Sequence, residues 1–250
     1  MLDRLETAFE HERRFVSDAS HELRTPLALL RTELELALRK PRSHAELEDA
    51  LRSAAEETDR LTALAADLLL IARSEHHAMP INLEEVSAHE LLAAVAGRFS
   101  GRAAELGRDL DVDDAGEDLA FDADRKRLEQ AVGNLVENAL IHGSGTVTLF
   151  ARRTGAALVL HVTDEGDGFP AGFVSRAFDR FSRADEARRR TGSGLGLAIV
   201  QAIAAAHHGT AGVSVREGSG ADVWISLPLS ASPDTDRTRP QLTTVFRRNA

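Results

Sequence analysis

His21 and Glu22 are adjacent in the stretch Phe15 to Leu30, FVSDASHELRTPLALL, with Thr25 and Pro26 just beyond. A neutral imidazole whose Nδ1–H is held by a carboxylate keeps Nε2 free as a nucleophile. On a helix, Thr25 shares the face of His21. Pro26 removes one intrahelical hydrogen bond and can bend the helix just after the pair. A second chemistry lies far along the chain. Asn134 and Asn138, in LEQAVGNLVENALIHG, share one helical face, and their amide oxygens are hard ligands suited to Mg²⁺. Asp164-Glu165-Gly166-Asp167-Gly168 follows an apolar strand, and its glycines let a ligand ring approach the backbone. Gly192-Ser193-Gly194-Leu195-Gly196-Leu197 opens a helix, offering phosphate groups free N–H donors and a positive dipole end. Each feature has an ordinary alternative: a solvated histidine, asparagines tying a helix to a loop, a simple turn. A lone glycine-rich turn is weak evidence. Together they point to a phosphorylatable histidine and a site for ATP.

Two kinds of scaffold position these groups. Residues 3–39 read as one long helix. Phe9, Val16, Ser20, Leu23, Leu27, Leu30 and Leu34 follow a three-and-four spacing interrupted at Arg13. This seam leaves His21 just outside it, facing solvent. Lys40, Pro41, Arg42 and Ser43 break the helix, and Ser43 with Glu46 forms a capping box for the next. That second helix carries Leu47, Leu51, Ala54, Thr58, Leu61, Ala65, Leu68 and Ala72 in the same alternation. Each helix is expected to be about 45–55 Å long. One hairpin cannot bury both apolar stripes alone, whereas two hairpins in a four-helix bundle can, so a homodimer is expected.

After a linker at 76–80 the pattern changes to short strands alternating with helices. Strands are expected at 81–86, 109–113, 119–121, 146–152, 157–163, 211–216 and 222–227, with a hairpin around Thr154-Gly155. Helices are expected from Ser87 to about 105, from Asp124 to about 141, and over 195–208. The fold class is therefore multidomain, α followed by α/β. The expected division is 1–75 helical hairpin, 76–80 linker, 81–229 α/β domain and 230–250 mobile tail, the last rich in Ser, Thr, Pro and Arg. A polar stretch, Ser182 to Thr191, has no apolar periodicity and carries Arg183, Arg188, Arg189 and Arg190. It reads as a lid whose arginines neutralise a triphosphate.

Composition sets limits. A formal net charge of −10 argues against non-specific nucleic-acid binding, which needs a basic face. The absence of cysteine excludes disulfides and thiolate metal sites. The most apolar run, Leu61 to Ala72, is too short for a membrane span and contains Asp67. A soluble chain with no signal peptide is expected.

FVSDASHELRTPL resembles the H-box of sensor histidine kinases residue for residue. LEQAVGNLVENALIHG resembles that family's N-box, DEGDG its G1 box, Phe178-Asp179-Arg180-Phe181 its F-box and GSGLGL its G2 box, in family order and at ordinary spacing. The resemblance covers roughly Leu2 to Leu229. It implies that His21 is the phosphoacceptor, that Glu22 assists proton transfer, and that Thr25 positions water in a reverse, phosphatase reaction. It implies that Asn138 binds Mg²⁺, with Asn134 in the same nucleotide site. Asp164 would accept a hydrogen bond from the adenine amino group beside Gly166 and Gly168. Gly192, Gly194, Leu195 and Gly196 would hold phosphate, and Arg183 would contact the γ-phosphate. Phe178 and Phe181 would anchor the lid hinge. The family often has Lys or Arg, then Tyr or His, where this chain has Ile141 and His142. Ile141 cannot contact phosphate electrostatically, so only His142 is carried over.

The family's second domain has the Bergerat-type fold, a mixed sheet covered by three helices, and the strand and helix order here agrees with it. The activity implied is autophosphorylation of His21 from Mg²⁺-ATP, followed by phosphoryl transfer to an aspartate of a response-regulator receiver domain. The family is commonly anchored in the membrane through an N-terminal sensor. The chain is therefore expected to be the cytoplasmic part of something longer, with membrane association only through a segment it lacks. Two alternatives stay open: a nucleotide-binding phosphatase or degenerate kinase, suggested by Ile141, and a gated ATPase of the wider Bergerat group, which the H-box argues against.

Overall fold

The computed structural model describes residues 2–39, 43–75, 79–113, 119–170, 172–183, 193–215 and 220–229; at 2–12, 14, 75 and 215 it describes the backbone alone. The expected tail 230–250, lid residues 184–191, Gly192 and linker residues 76–78 lie outside the described residues.

Two long helices come first, α1 (Leu2–Arg39) and α2 (His44–Glu75). The capping box forms as expected. The Glu46 N–H donates to Ser43 Oγ at 3.3 Å, and the Ser43 N–H donates to Glu46 Oε2 at 2.8 Å. Ser53, early in α2, donates to Glu33, late in α1, at 3.0 Å, so the helices run antiparallel. Within one chain only part of the seam is covered. Leu23 and Leu30 are half-buried, while Val16, Leu27 and Leu51 remain 58%, 52% and 64% exposed.

The far end of α2 serves another purpose. Leu64, Leu70 and Ile71 are buried in the main core, packing toward α5 (Gly196–Ala206). Asp67 lies among them. Burial pushes its carboxyl up to about 6, and Gln130 Nε2 donates to its Oδ1 at 3.5 Å.

The α/β unit follows in the order β1 (Glu84–Ser87), α3 (Ala88–Glu105), β2 (Leu110–Val112), β3 (Ala120–Ala123), α4 (Arg125–His142), β4 (Val147–Thr154), β5 (Ala157–Thr163), α5, β6 (Thr210–Val215) and β7 (Ala221–Pro228). A five-stranded sheet has the order β2-β4-β5-β7-β6, with β2 parallel to β4 and the other pairs antiparallel. Strand alternation sorts its faces. Leu158, Leu160 and Val162 pair with Leu227, Ile225 and Val223, and all six are buried on the side covered by α3, α4 and α5. The opposite face carries Phe150 stacked on His161 at 4.5 Å, and His161 Nδ1 lies 2.9 Å from Asp222 Oδ1.

The first expected strand differs in place. It runs over 84–87 rather than 81–86 and pairs with β3 in a separate two-stranded sheet. Asn82 accounts for the shift, because its N–H donates to Asp124 Oδ2 at 3.0 Å and is held by a side chain instead of a strand. A single turn of 3₁₀ helix, Val174–Arg176, precedes the Phe178 segment.

Asp124 joins three pieces of chain. Its Oδ1 caps α4 by accepting from the Arg127 N–H at 3.1 Å. Its Oδ2 accepts from Asn82, and its own N–H donates to Nε2 of the buried His207 at 3.0 Å. Asp124→Ala is expected to lower unfolding stability by about 1–2 kcal/mol in a denaturant titration, and Asp124→Asn by much less. Asp67 gives a pH signature. Its folded pKa is raised above the usual 3.8, so the stability it contributes is full below about pH 4 and is lost as pH rises through about 6. Asp67→Asn is expected to unfold at higher denaturant than the parent at pH 8 and at the same denaturant at pH 4.

Candidate functional site

One buried carboxylate stands at the end of a central strand. Asp164 follows the last residue of β5 and is buried. Its Oδ1 accepts from the Gly166 N–H at 2.7 Å; among the described residues no donor meets Oδ2. Backbone without side chains crowds around it. A Cβ on Gly143 would lie 2.4 Å from Asp164 Cγ, and one on Gly220, where φ is +84, would lie 1.6 Å from the Asp164 carbonyl oxygen. Only glycine tolerates that approach and that dihedral. The turn 143–146 is also tied to 164–166: the Glu165 N–H donates to the Ser144 carbonyl at 2.9 Å, and the Thr146 N–H donates to Glu165 Oε2 at 3.1 Å. A recessed carboxylate with a free acceptor oxygen, ringed by glycines, fits the exocyclic amino group of a flat heterocycle.

A second cluster forms where α4 meets the start of α5. Leu128, Ala131, Val132, Leu135, Val136, Ala139 and Leu140 form the buried stripe of α4, which leaves Asn134 and Asn138 half-buried on a different face. Asn134 Nδ2 donates to the Gly196 carbonyl at 3.3 Å. A methyl group on Gly196 would stand 3.8 Å from Asn138 Nδ2, so the two amides and the helix N-terminus face one another. Gly194 has φ +70, and its Cβ would lie 2.9 Å from the Phe181 backbone. Leu195 is fully buried and anchors the turn. Free N–H groups at this end of α5 suit phosphate. The Asn138 amide oxygen fits a hard cation such as Mg²⁺, which keeps several waters and bridges to phosphates. Among the described residues no group of three or more His, Asp or Glu gathers to hold a metal. His142, at the C-terminal end of α4, is exposed, and Ile141 is half-buried. Gly168, with φ +73, packs its Cα side on the Gly220 carbonyl.

His21 is exposed on α1, and the Thr25 hydroxyl donates to its carbonyl oxygen at 3.4 Å. Glu22 is half-buried because the α/β unit lies against it. Arg183 Nη2 donates to Glu22 Oε2 at 3.1 Å. Phe15 and Phe181 have ring centroids 6.3 Å apart, and the Arg180 guanidinium lies 5.1 Å from the Phe15 ring centroid. The histidine's carboxylate neighbour is thus paired with the arginine that begins the lid stretch. Sequence reasoning missed Gly143 and Gly220, whose importance lies in what they touch, and Arg108, a half-buried arginine whose guanidinium bonds the end of α4 and the Gly145 carbonyl. It had a signal for Gly143 alone, which directly follows the asparagine helix.

Two family models match this chain. His Kinase A (phospho-acceptor) domain matches residues 11–77, and Histidine kinase-, DNA gyrase B-, and HSP90-like ATPase matches residues 123–231. The chain belongs to the sensor histidine kinase family. Among curated relatives, it is 41% identical over 221 residues to the probable sensor histidine kinase TcrY of Mycobacterium tuberculosis (strain ATCC 25618 / H37Rv), covering 87% of this chain and 46% of that one. It is 35% identical to the sensor protein IrlS of Burkholderia pseudomallei (strain K96243), covering 93% of this chain and 50% of that one. It thus spans about half the length of the curated relatives it matches. Among solved structures, full-length ShkA in complex with AMPPNP superposes with a TM-score of 0.66 at 31% identity, covering 87% of this chain and 46% of that one. Among the described residues no helix is long and apolar enough to cross a membrane.

Gly220→Ala tests the tightness of the Asp164 wall. It is expected to cost about 2 kcal/mol of stability from the positive φ and the clash together. It should also weaken binding of a fluorescent ATP analogue, read by titration below the shifted melting temperature.

Proposed function

We propose that this chain autophosphorylates His21 from ATP and passes the phosphoryl group to an aspartate of a response-regulator receiver domain. The observation that best supports this reading is the 3.1 Å pair between Glu22 and Arg183. It brings the carboxylate next to the nucleophile within one side chain of the loop that flanks the phosphate end of the pocket. Family membership supports the same reading. The division of labour proposed is a hairpin at 1–75, a linker at 76–80, a nucleotide-binding domain at 81–229 and a tail at 230–250.

Asp164 receives the adenine amino group, with Gly166 and Gly168 leaving room for the ring. Gly192, Gly194, Leu195 and Gly196 hold the phosphates, and Asn134, Asn138 and His142 line the same pocket. Asn138 would hold Mg²⁺, which when bound neutralises charge on the phosphate oxygens. His21 Nε2 attacks the γ-phosphorus in line. The Nε2–P bond forms, the bridging P–O bond breaks, and its electron pair leaves with ADP. Glu22 orients the ring and takes the Nδ1 proton, and Arg183 moves from Glu22 to the γ-phosphate. Positioning and charge neutralisation supply most of the rate, as in other phosphoryl transfers. In the second step the Nε2–P bond breaks and an aspartate oxygen takes the phosphoryl group.

Homodimerisation is part of the proposal. The exposed Val16, Leu27 and Leu51 are the apolar surface that a second hairpin would cover. So is placement in the cytoplasm, on the family's usual plan. Thr25, on the exposed face of His21, would position water for dephosphorylation of the regulator. His21→Ala is expected to abolish an acid-labile, alkali-stable label from γ-labelled ATP while leaving ATP affinity within about twofold. Labelling that persists in this variant removes His21 from the mechanism. Thr25→Ala is expected to lower release of phosphate from a phosphorylated regulator by tenfold or more, with autophosphorylation retained.

A further inference from the structure

Arg108 lies in the turn between α3 and β2, and its backbone N–H closes that turn on the Ala103 carbonyl at 2.9 Å. Its side chain runs to the C-terminal end of α4. Nη1 donates to the carbonyls of Ala139 and Leu140, and Nε donates to the Gly145 carbonyl at 2.9 Å. The bond to Leu140 meets a carbonyl of the last helical turn, the bond to Ala139 adds a second donor to a carbonyl that already accepts the Gly143 N–H, and together they set a cation at the negative end of the helix dipole. The third nitrogen makes no bond, since Nη2 is buried without a hydrogen-bond partner. A guanidinium held at the cost of an unmade bond is fixed by the three it makes.

What it fixes is the turn that Asp164 leans on. Ala139 O accepts from Arg108 and from the Gly143 N–H at 2.9 Å. Gly143 is the residue with no room for a Cβ against Asp164 Cγ. Gly145, whose carbonyl takes Nε, has φ +64 and no room for a Cβ against Glu165 Oε2. Ser144 lies between them, accepting from the Glu165 N–H at 2.9 Å and donating to the Glu165 carbonyl at 3.2 Å. The order through the protein is therefore Arg108, the 143–145 turn, then Asp164, each in contact with the next. Asp164 has no cationic partner of its own among the described residues.

We infer that Arg108 is a positioning residue for base recognition: by clamping the 143–145 turn it sets the Asp164 carboxylate and so determines how strongly the pocket prefers a nucleotide with an exocyclic amino group. This rests on the reading of Asp164 as the adenine acceptor. A site built to pair one polar group discriminates sharply against a ligand lacking it, and only while its geometry is held.

The test compares dissociation constants for ATP and for purine riboside triphosphate, which is ATP without the amino group, using the full chain and its Arg108→Met, Arg108→Lys and Asp164→Ala variants. Asp164→Ala is expected to erase the preference for ATP. Arg108→Met is expected to reduce it by roughly tenfold while binding of purine riboside triphosphate stays near the parent value, which also shows that the variant is folded. Arg108→Lys, which keeps the charge and one direction of donation, is expected to recover part of the preference and serves as the deciding variant if the methionine form does not fold. Equal weakening of both nucleotides, or an unchanged ratio in both Arg108 variants with Asp164→Ala losing it, would assign Arg108 a purely structural role and overturn the inference. An unchanged preference in Asp164→Ala would overturn the adenine reading itself, and the role of Arg108 with it.

Discussion

Asp164 is a carboxylate buried at the end of a central strand, with one oxygen tied to a backbone N–H and the walls around it made of glycine. Burying such a group is costly unless its hydrogen bonds are made. The surroundings bear that cost by fixing geometry: Gly220 presses on its carbonyl, Gly143 on its side chain, and the turns before β4 and after β5 are bonded to each other. The rest of the proposed nucleotide site is laid out from this point. α4 must end where Gly143 begins, so its asparagines fall about one and a half and two and a half turns back along the same helix. α5 must then start opposite those asparagines, which the Asn134–Gly196 bond achieves.

The second constraint is distance. The proposed nucleophile lies on a helix that belongs to another layer of the molecule, and the pocket has to be brought to it. In this structure the link is made by Phe15 with Phe181, Arg180 with Phe15, and Glu22 with Arg183, while the end of α2 packs on α5. The apolar contacts set the approach. The ion pair involves groups that the phosphoryl-transfer reading needs elsewhere, since Arg183 cannot serve Glu22 and a phosphate with the same nitrogen at once. Both groups keep part of their surface in contact with solvent, 24% and 36% of each side chain, which screens the pair in part. Asp67, half-buried in the same contact region with its carboxyl pushed up toward neutrality, weakens it as pH rises.

Much of this was legible in the sequence because it is written locally. Ser43 with Glu46 and Asp124 mark helix starts, and both caps form. The α4 stripe predicts which face is buried, and hence that Asn134 and Asn138 are on another. Alternation in β5 and β7 predicts the core face of the sheet. What was not legible depends on partners far apart in the chain. Period-two alternation does not say that β1 pairs with β3 outside the main sheet. Nothing near Glu22 announces Arg183, and nothing near Arg108 announces the end of α4. Gly220 looks like any loop glycine until Asp164 is seen against it. Sequence pattern encodes which way a side chain faces; it does not encode what it meets. The motif resemblance supplied the roles proposed for His21, Asn138 and Asp164, which periodicity alone could not.

The most direct measurement is to locate the phosphoryl group. The intact chain would be incubated with Mg²⁺ and ATP, digested under alkaline conditions that preserve phosphoramidates, and its peptides mapped by mass spectrometry. The account predicts one phosphorylated peptide, spanning Phe15 to Leu30, with the added mass on His21. Steady release of inorganic phosphate with no phosphopeptide, or phosphate on any other residue, would contradict it.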